Sequence, residues 1–317
     1  MQIVVLDGFA MNPGDLSWEG LKKLGECEIY DRTKPDEIYS RIKDAEVVIT
    51  NKAVIDEKLI DRLPVLRYIG VTATGYNVVD VPAASRKGIV VTNIPAYSTD
   101  SVAQLVFAHI LNVANRVEMH AESVKSGDWV ANPDFSYSKS PQMELAGKTL
   151  GIVGFGRIGR KVAEIGLAFG MKVIFQNRSQ ISDAPAGMRQ TTLNDIFSES
   201  DIVSLNCPLT PENSEFVNEQ LLKKMKSSAI LINTGRGGLI NEADLSNALN
   251  AGVIAAACLD VLSTEPPKWD NPMLSARNCF ITPHIAWATI EARQRLMNVT
   301  VENLNSYILG KPQNVVK

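Results

Sequence analysis

Gly154-Phe155-Gly156-Arg157-Ile158-Gly159 stands directly after the apolar run Thr149–Val153 and opens an amphipathic stretch that reaches Phe169. Three glycines at this spacing, between a strand and a helix, suit one local architecture, the turn of a parallel βα unit that binds a dinucleotide. Gly154 allows the tight turn, Gly156 lets backbone approach a pyrophosphate, and Gly159 lets helix and strand pack closely. Around Arg157 and Ile158 the first helical N–H groups, which have no intrahelical acceptors, face the phosphates.

The rest of the chain follows the same alternation. Short β-branched runs are interleaved with amphipathic segments from end to end, which predicts an α/β fold with parallel sheets. At roughly 150 residues per domain, 317 residues make two domains. In the first hundred residues strands are expected near Ile3–Leu6, Val47–Thr50, Leu66–Gly70 and Val90–Thr92, with helices around Trp18–Leu24, Lys34–Ile42 and Lys58–Asp61. Ser98-Thr99-Asp100 offers N-caps for one long linking helix to about Glu122, with Val102, Leu105, Val106, His109, Ile110, Val113 and Val117 at helical spacing. Residues 127–142 read as a surface loop. A second series then supplies strands Thr149–Val153, Lys172–Gln176, Ile202–Leu205, Ile230–Asn233, Ile254–Asp260 and Cys279–Thr282, helices Gly156–Phe169 and Glu242–Asn250, and a last helix that stops at Gly310-Lys311-Pro312.

Composition removes several classes of function. The 32 Lys and Arg against 35 Asp and Glu leave a net charge of −3, and the basic residues are scattered, so there is no footprint for nucleic acid or an anionic membrane. Cys27, Cys207, Cys258 and Cys279 are far apart without a C-x-x-C pair, which argues against a metal cluster, and Cys207 and Cys258 lie in apolar runs where a free thiol reads as a small buried hydrophobe. No apolar run approaches the roughly 18 residues of a membrane span, and the N-terminus suits a first strand better than a signal peptide. A cytoplasmic location is the expectation.

Dinucleotide folds usually end the second strand in an acid that holds the adenosine ribose. Here Val173-Ile174-Phe175 runs into Gln176-Asn177-Arg178-Ser179, with a cation where an acid would repel a 2′-phosphate. The cofactor expectation is NAD or NADP, leaning to NADP. Arg178 meets the phosphate, stacks on adenine or sits in solvent, and Asn177 serves the ribose if NAD is bound.

Arg236, Glu265 and His284 lie after late strands, in Asn233-Thr234-Gly235-Arg236-Gly237-Gly238, Asp260-Val261-Leu262-Ser263-Thr264-Glu265-Pro266-Pro267 and Thr282-Pro283-His284. The carboxyl edge of an open α/β sheet is where ligands bind. Together with the glycine motif, these three loops, in this order and approximate spacing, resemble the D-isomer-specific 2-hydroxyacid dehydrogenases over essentially the full chain. Leu6-Asp7-Gly8, Asn12-Pro13-Gly14-Asp15-Leu16 and Trp287 look most like the glycerate dehydrogenase (hydroxypyruvate reductase) branch.

The resemblance implies two doubly wound parallel-sheet domains, with a Rossmann nucleotide-binding domain (99–286) inserted in a smaller flavodoxin-like substrate domain (1–98 plus 287–317). It implies hydride transfer between a nicotinamide cofactor and a small D-2-hydroxy or 2-keto acid, hydroxypyruvate/D-glycerate first and glyoxylate/glycolate second. Arg236 would bind the carboxylate, His284 would exchange the proton, and Glu265 would orient the imidazole and favour its protonated form. Asp260 resembles the family's aspartate near the nicotinamide, and Thr234, Cys207 and Pro208 line the same edge. Thr74 and Gly75 would offer backbone N–H groups to the substrate between the domains. Lys52 is either a second wall of that site or a solvated lysine. Domain closure would hinge near Ile94–Ser98 and His284–Thr289, and the resemblance together with the apolar linking helix points to a homodimer. His109 and His120 lack motif partners and read as structural.

A rival reading is a dinucleotide-sensing corepressor-like binding protein on the same fold, against which the absence of an appended arm counts. Formate dehydrogenases pair the histidine with Gln, so Glu265 speaks against them. Phosphoglycerate dehydrogenases often extend beyond the core, whereas this chain stops at Lys317.

Overall fold

Gln2–Val5, Glu26–Ile29, Val47–Thr50, Tyr68–Val71 and Val90–Thr92 (β1 to β5) form an all-parallel sheet in the computed structural model, which describes residues 1–317. Their spatial order, β2-β1-β3-β4-β5, is that of a flavodoxin-like doubly wound sheet. All residues of β3 and β4 are buried, because helices cover both faces of a central parallel strand and no polar alternation survives. Successive residues feed opposite cores: Val4 and Leu6 pack with Ile42, Ile60 and Ile69, while Ile3 and Val5 pack with Leu21, Ile49 and Leu304.

Leu304 belongs to the C-terminal helix Ile290–Ile308, so the chain's last segment returns to this sheet. The helix is capped by Thr289, whose hydroxyl accepts the Ala292 N–H, and ends before Gly310 at φ +72°. Chain contacts accordingly define two units, Met1–Ser98 with Ala288–Lys317, and Thr99–Trp287.

The second unit holds seven parallel strands: Thr149–Val153, Lys172–Gln176, Met188–Gln190, Ile202–Leu205, Ile230–Asn233, Ala256–Leu259 and Cys279–Ile281 (β6 to β12). Their order, β12-β11-β10-β9-β6-β7-β8, is the Rossmann arrangement extended by one strand, and it reverses between β6 and β9. At that switch point the Asn206 N–H donates to the Val153 carbonyl at 2.7 Å, which brings the loop after β9 against the glycine turn after β6.

Two edge strands, β2 and β8, escape the sequence pattern because their residues are exposed or half-buried and polar side chains interrupt them. The helix expected around Trp18–Leu24 is only Glu19–Lys22, and Lys34–Ile42 divides into a 3₁₀ turn and a short helix. The single linking helix expected over Ser98–Glu122 is corrected to two, Thr99–Asn115 and Val117–Lys125. Arg116 between them is left-handed at φ +47°, and its guanidinium lies 4.4 Å from the centre of the Phe280 ring, a cation–π contact that offsets the strained backbone. Beyond the break Val117, assigned to the apolar face by spacing, is 69% exposed. No helix is long and apolar enough to cross a membrane.

Candidate active site

Steric necessity explains the glycine turn. Gly154 has φ +92°, and a Cβ there would lie 2.6 Å from the Cys207 nitrogen; a Cβ on Gly159 would lie 2.2 Å from the Gly154 carbonyl oxygen. Around Gly156 the same construction meets nothing within 4 Å, so its lack of a side chain serves something outside the turn. Arg157 begins a 12-residue helix with Gly156 at the N-cap, where no side chain satisfies the first N–H groups. Ile158 is half-buried behind them.

Two polar atoms of the same edge are orphaned. Thr234 Oγ1 and Asn206 Oδ1 are buried and without hydrogen-bond partners, in loops after β10 and β9. Open space at Gly156, free N–H groups and unpaired polar atoms fit the polar groups of a dinucleotide. Cys207 and Pro208 adjoin this edge, and burial pushes the Cys207 thiol up, which suits packing and not redox chemistry. At the end of β7, Asn177 Oδ1 accepts the Phe155 N–H at 3.3 Å and Asn177 Nδ2 donates to Ser179 Oγ at 3.1 Å. Arg178 and Ser179 beside it are exposed.

The catalytic candidates follow β10, β11 and β12. His284 Nδ1 is 2.6 Å from Glu265 Oε2, and Glu265 Oε1 accepts the Leu262 N–H at 3.1 Å. A carboxylate can only accept, so the ring proton of this bond sits on Nδ1. Nε2 makes no hydrogen bond within the unit. His284 is itself left-handed at φ +54°, a backbone state that costs of order 1 kcal/mol and persists only where its surroundings hold it.

Asp260 does the holding. Its Oδ1 accepts from Thr282 Oγ1 at 2.6 Å and from the Ile285 N–H at 2.9 Å, its Oδ2 accepts the Ala286 N–H at 2.8 Å, and its carbonyl accepts the His284 N–H at 2.9 Å. The resemblance puts Asp260 near a nicotinamide; in the structure its side chain is 1% exposed and its carboxylate is engaged with this loop.

Arg236 is exposed, with one guanidinium nitrogen donating to the Gly235 carbonyl at 2.8 Å. Its loop is shaped by buried Asn233, whose Nδ2 donates to the Arg236 carbonyl at 2.8 Å and whose Oδ1 accepts the Gly235 N–H at 3.0 Å. Gly237 then packs on Leu262 so closely that a Cβ would lie 1.9 Å from its carbonyl carbon. The Arg236 loop is thereby fixed against the loop that carries Glu265. Glu242 adds a clamp, accepting the Ser263 N–H at 2.6 Å and the Asn271 amide at 2.8 Å. Sequence reasoning missed Asn233, Asn206 and Glu242. Asn233 has a readable signal, an Asn at a strand end before Thr-Gly, the usual Asx-turn residue. Glu242 has none, since its partners are distant in sequence.

In the first unit, Asp7 accepts N–H groups of Asn51, Lys52 and Ala53 at 2.7, 2.5 and 3.0 Å, so the Lys52 loop is held by its backbone while the Lys52 side chain is exposed. Thr74 Oγ1 donates to the Ile94 carbonyl at 3.0 Å, and the N–H groups of Thr74 and Gly75 bind no carbonyl within the unit.

Comparison with known proteins gives concordant matches. Residues 107–286 match the family model described as D-isomer specific 2-hydroxyacid dehydrogenase, NAD binding domain. A hydroxypyruvate reductase of Blautia hydrogenotrophica is 48% identical, the alignment covering 100% of this chain and 99% of the relative. A glycerate dehydrogenase of Methylorubrum extorquens is 40% identical over 92% of each chain. Among solved structures, an acyclic imino acid reductase in complex with NADPH and D-Arg superposes with a TM-score of 0.86 at 32% identity, covering 100% of both chains.

Proposed function

The chain belongs to the D-isomer specific 2-hydroxyacid dehydrogenase family, and from that premise we propose that it is an oxidoreductase acting between a nicotinamide cofactor and a small D-2-hydroxy acid or its 2-keto acid. Hydroxypyruvate/D-glycerate is the first substrate pair, supported by the names of the relatives at 48% and 40% identity, and glyoxylate/glycolate is the second. The observation that carries the chemistry is the 2.6 Å contact between His284 Nδ1 and Glu265 Oε2, with Nε2 left for a substrate oxygen.

When bound, the nicotinamide supplies or accepts the hydride. Gly154, Gly156, Arg157, Ile158 and Gly159 would hold its pyrophosphate, Asn177, Arg178 and Ser179 its adenosine ribose, and Cys207, Pro208 and Thr234 its other half. In reduction, doubly protonated His284 gives its Nε2 proton to the carbonyl oxygen as that oxygen gains negative charge, and the neutral ring keeps the Nδ1 proton on Glu265. In oxidation the bare Nε2 takes the hydroxyl proton, and the imidazolium so formed faces the Glu265 carboxylate. Arg236 contributes a fixed cation whose fork suits carboxylate and carbonyl oxygens. Lys52 and the N–H groups of Thr74 and Gly75 are further contacts for the substrate carboxylate.

NADP is the proposed preference, because no acid stands in Gln176-Asn177-Arg178-Ser179 and Arg178 is exposed. Arg178→Ala is expected to lower kcat/KM for NADPH roughly tenfold and to leave NADH nearly unchanged. A homodimer is proposed from the exposed apolar side chains concentrated in 117–135, where Val117, Trp129, Val130 and Phe135 are 51 to 93% exposed. Sedimentation at micromolar protein reads that state directly.

The deciding assay follows NADH and NADPH oxidation with hydroxypyruvate, glyoxylate, pyruvate and phenylpyruvate. Fast hydroxypyruvate turnover supports the assignment, and turnover confined to phenylpyruvate refutes the substrate. Tight cofactor binding with no turnover returns the sensing-protein reading.

A further inference from the structure

Resting on the acid–base role of His284 above, we propose that His109 is a positioning residue: its Nε2–H braces Thr282, and Thr282 with Asp260 holds the loop that presents His284. His109 is 5% exposed on the helix Thr99–Asn115, with Nε2 3.3 Å from Thr282 Oγ1. The Thr282 hydroxyl has a single proton and donates it to Asp260 Oδ1 at 2.6 Å. Only lone pairs of that oxygen therefore face His109, and the imidazole must carry its proton on Nε2. Burial holds the ring below its ordinary value of 6.5, against the attraction of Asp260, so the neutral donor form persists at neutral pH.

A second polar residue of the same helix reaches the same loop. Ser101 is 5% exposed, and its hydroxyl donates to the Ala286 carbonyl at 2.5 Å. Residues eight apart fall on one helix face, so Ser101 and His109 interrupt a buried face otherwise made of Val102, Ala103, Val106, Phe107, Ile110 and Ala114. The two meet the 282–286 loop at its two ends. Between those ends lie the N–H groups of Ile285 and Ala286 on Asp260 and the left-handed His284. Buried polar groups are retained where their partners need them, and here the partner is a strained segment bearing the acid–base group.

The test uses the full chain with His109→Leu and His109→Gln, since a glutamine amide places an N–H near the position of Nε2. His109→Leu is expected to lower kcat for hydroxypyruvate roughly tenfold, with KM and cofactor affinity within about twofold of wild type. His109→Gln is expected to recover most of that loss. With only three histidines in the chain, ¹⁵N-histidine NMR assigns each ring from single variants. It is expected to report protonated Nε2 at His109, a shift of that resonance in Thr282→Val, and displaced His284 ring resonances in His109→Leu.

Wild-type kcat in His109→Leu, equal impairment of the Leu and Gln variants, or an Nδ1–H tautomer at His109 overturns the proposal. If His109→Leu does not fold, the isosteric Thr282→Val carries the same kinetic test, and unchanged turnover there is equally fatal. If the wild-type chain reduces no keto acid, the functional reading falls, while the tautomer and the His284 ring resonances still decide whether His109 braces the loop.

Discussion

At the scale of single residues, the proposed chemistry rests on one side chain held in an unfavourable backbone state. His284 is left-handed and its ring is pinned by Glu265 at 2.6 Å, so its geometry is set before any ligand arrives. His284→Ala is expected to lower kcat by about 10³-fold while cofactor affinity by fluorescence titration stays unchanged; wild-type-like turnover overturns the mechanism. Glu265→Gln keeps an acceptor for Nδ1 but removes the charge opposite the imidazolium, and a loss of roughly 10- to 100-fold in kcat is expected. Glu265 and His284 are legible in the sequence because each sits in a short motif after a strand. The work of Asp260 is not, because three of the donors it accepts lie more than twenty residues further along the chain.

Among elements, the strands were the most legible and the joints the least. Val47–Thr50, Thr149–Val153, Lys172–Gln176 and Ile230–Asn233 coincide with their apolar runs, since a strand buried on both faces admits little else. The break at Arg116 carries no helix-breaking residue, and the guanidinium there meets a ring more than 160 residues away. Gly237 belongs to this scale because it joins two loops. Gly237→Ala is expected to cost roughly 3 kcal/mol or more, read as a lower urea midpoint, since the added methyl would meet Leu262 backbone, which cannot rotate aside. A variant as stable as wild type would show that the two loops separate freely.

For the whole molecule, an ion-paired carboxylate and a buried imidazole set different acid limits. The folded pKa of His109 lies below 6.5 while the unfolded chain retains the ordinary value, so between the two the unfolded state binds more protons. Stability from this source is complete above about pH 6.5 and falls as pH drops toward the folded pKa, by at most ~1.4 kcal/mol per pH unit. His109→Gln is expected to flatten that slope in urea titrations between pH 7.5 and 5.5; an unchanged slope would exclude His109 as its source.

Asp15 acts in a more acid window. Its hydrogen bonds to Arg293, 2.6 Å to each oxygen, hold its carboxyl below the usual 3.8, so that contribution is lost only as pH falls through the depressed value. The Asp15–Arg293 pair ties a loop near the N-terminus to the C-terminal helix of the same unit. The sequence alone determined the α/β class, the glycine turn and the candidates for the acid–base pair, because these follow from hydrophobic period, backbone sterics and side-chain chemistry within a few neighbouring residues. Tertiary structure decided the broken linking helix, the exposure of Val117, the brace from His109 through Thr282 to Asp260, and the clasp of Gly237 on Leu262. Each depends on groups far apart in the chain meeting within 5 Å, and no local pattern encodes that distance.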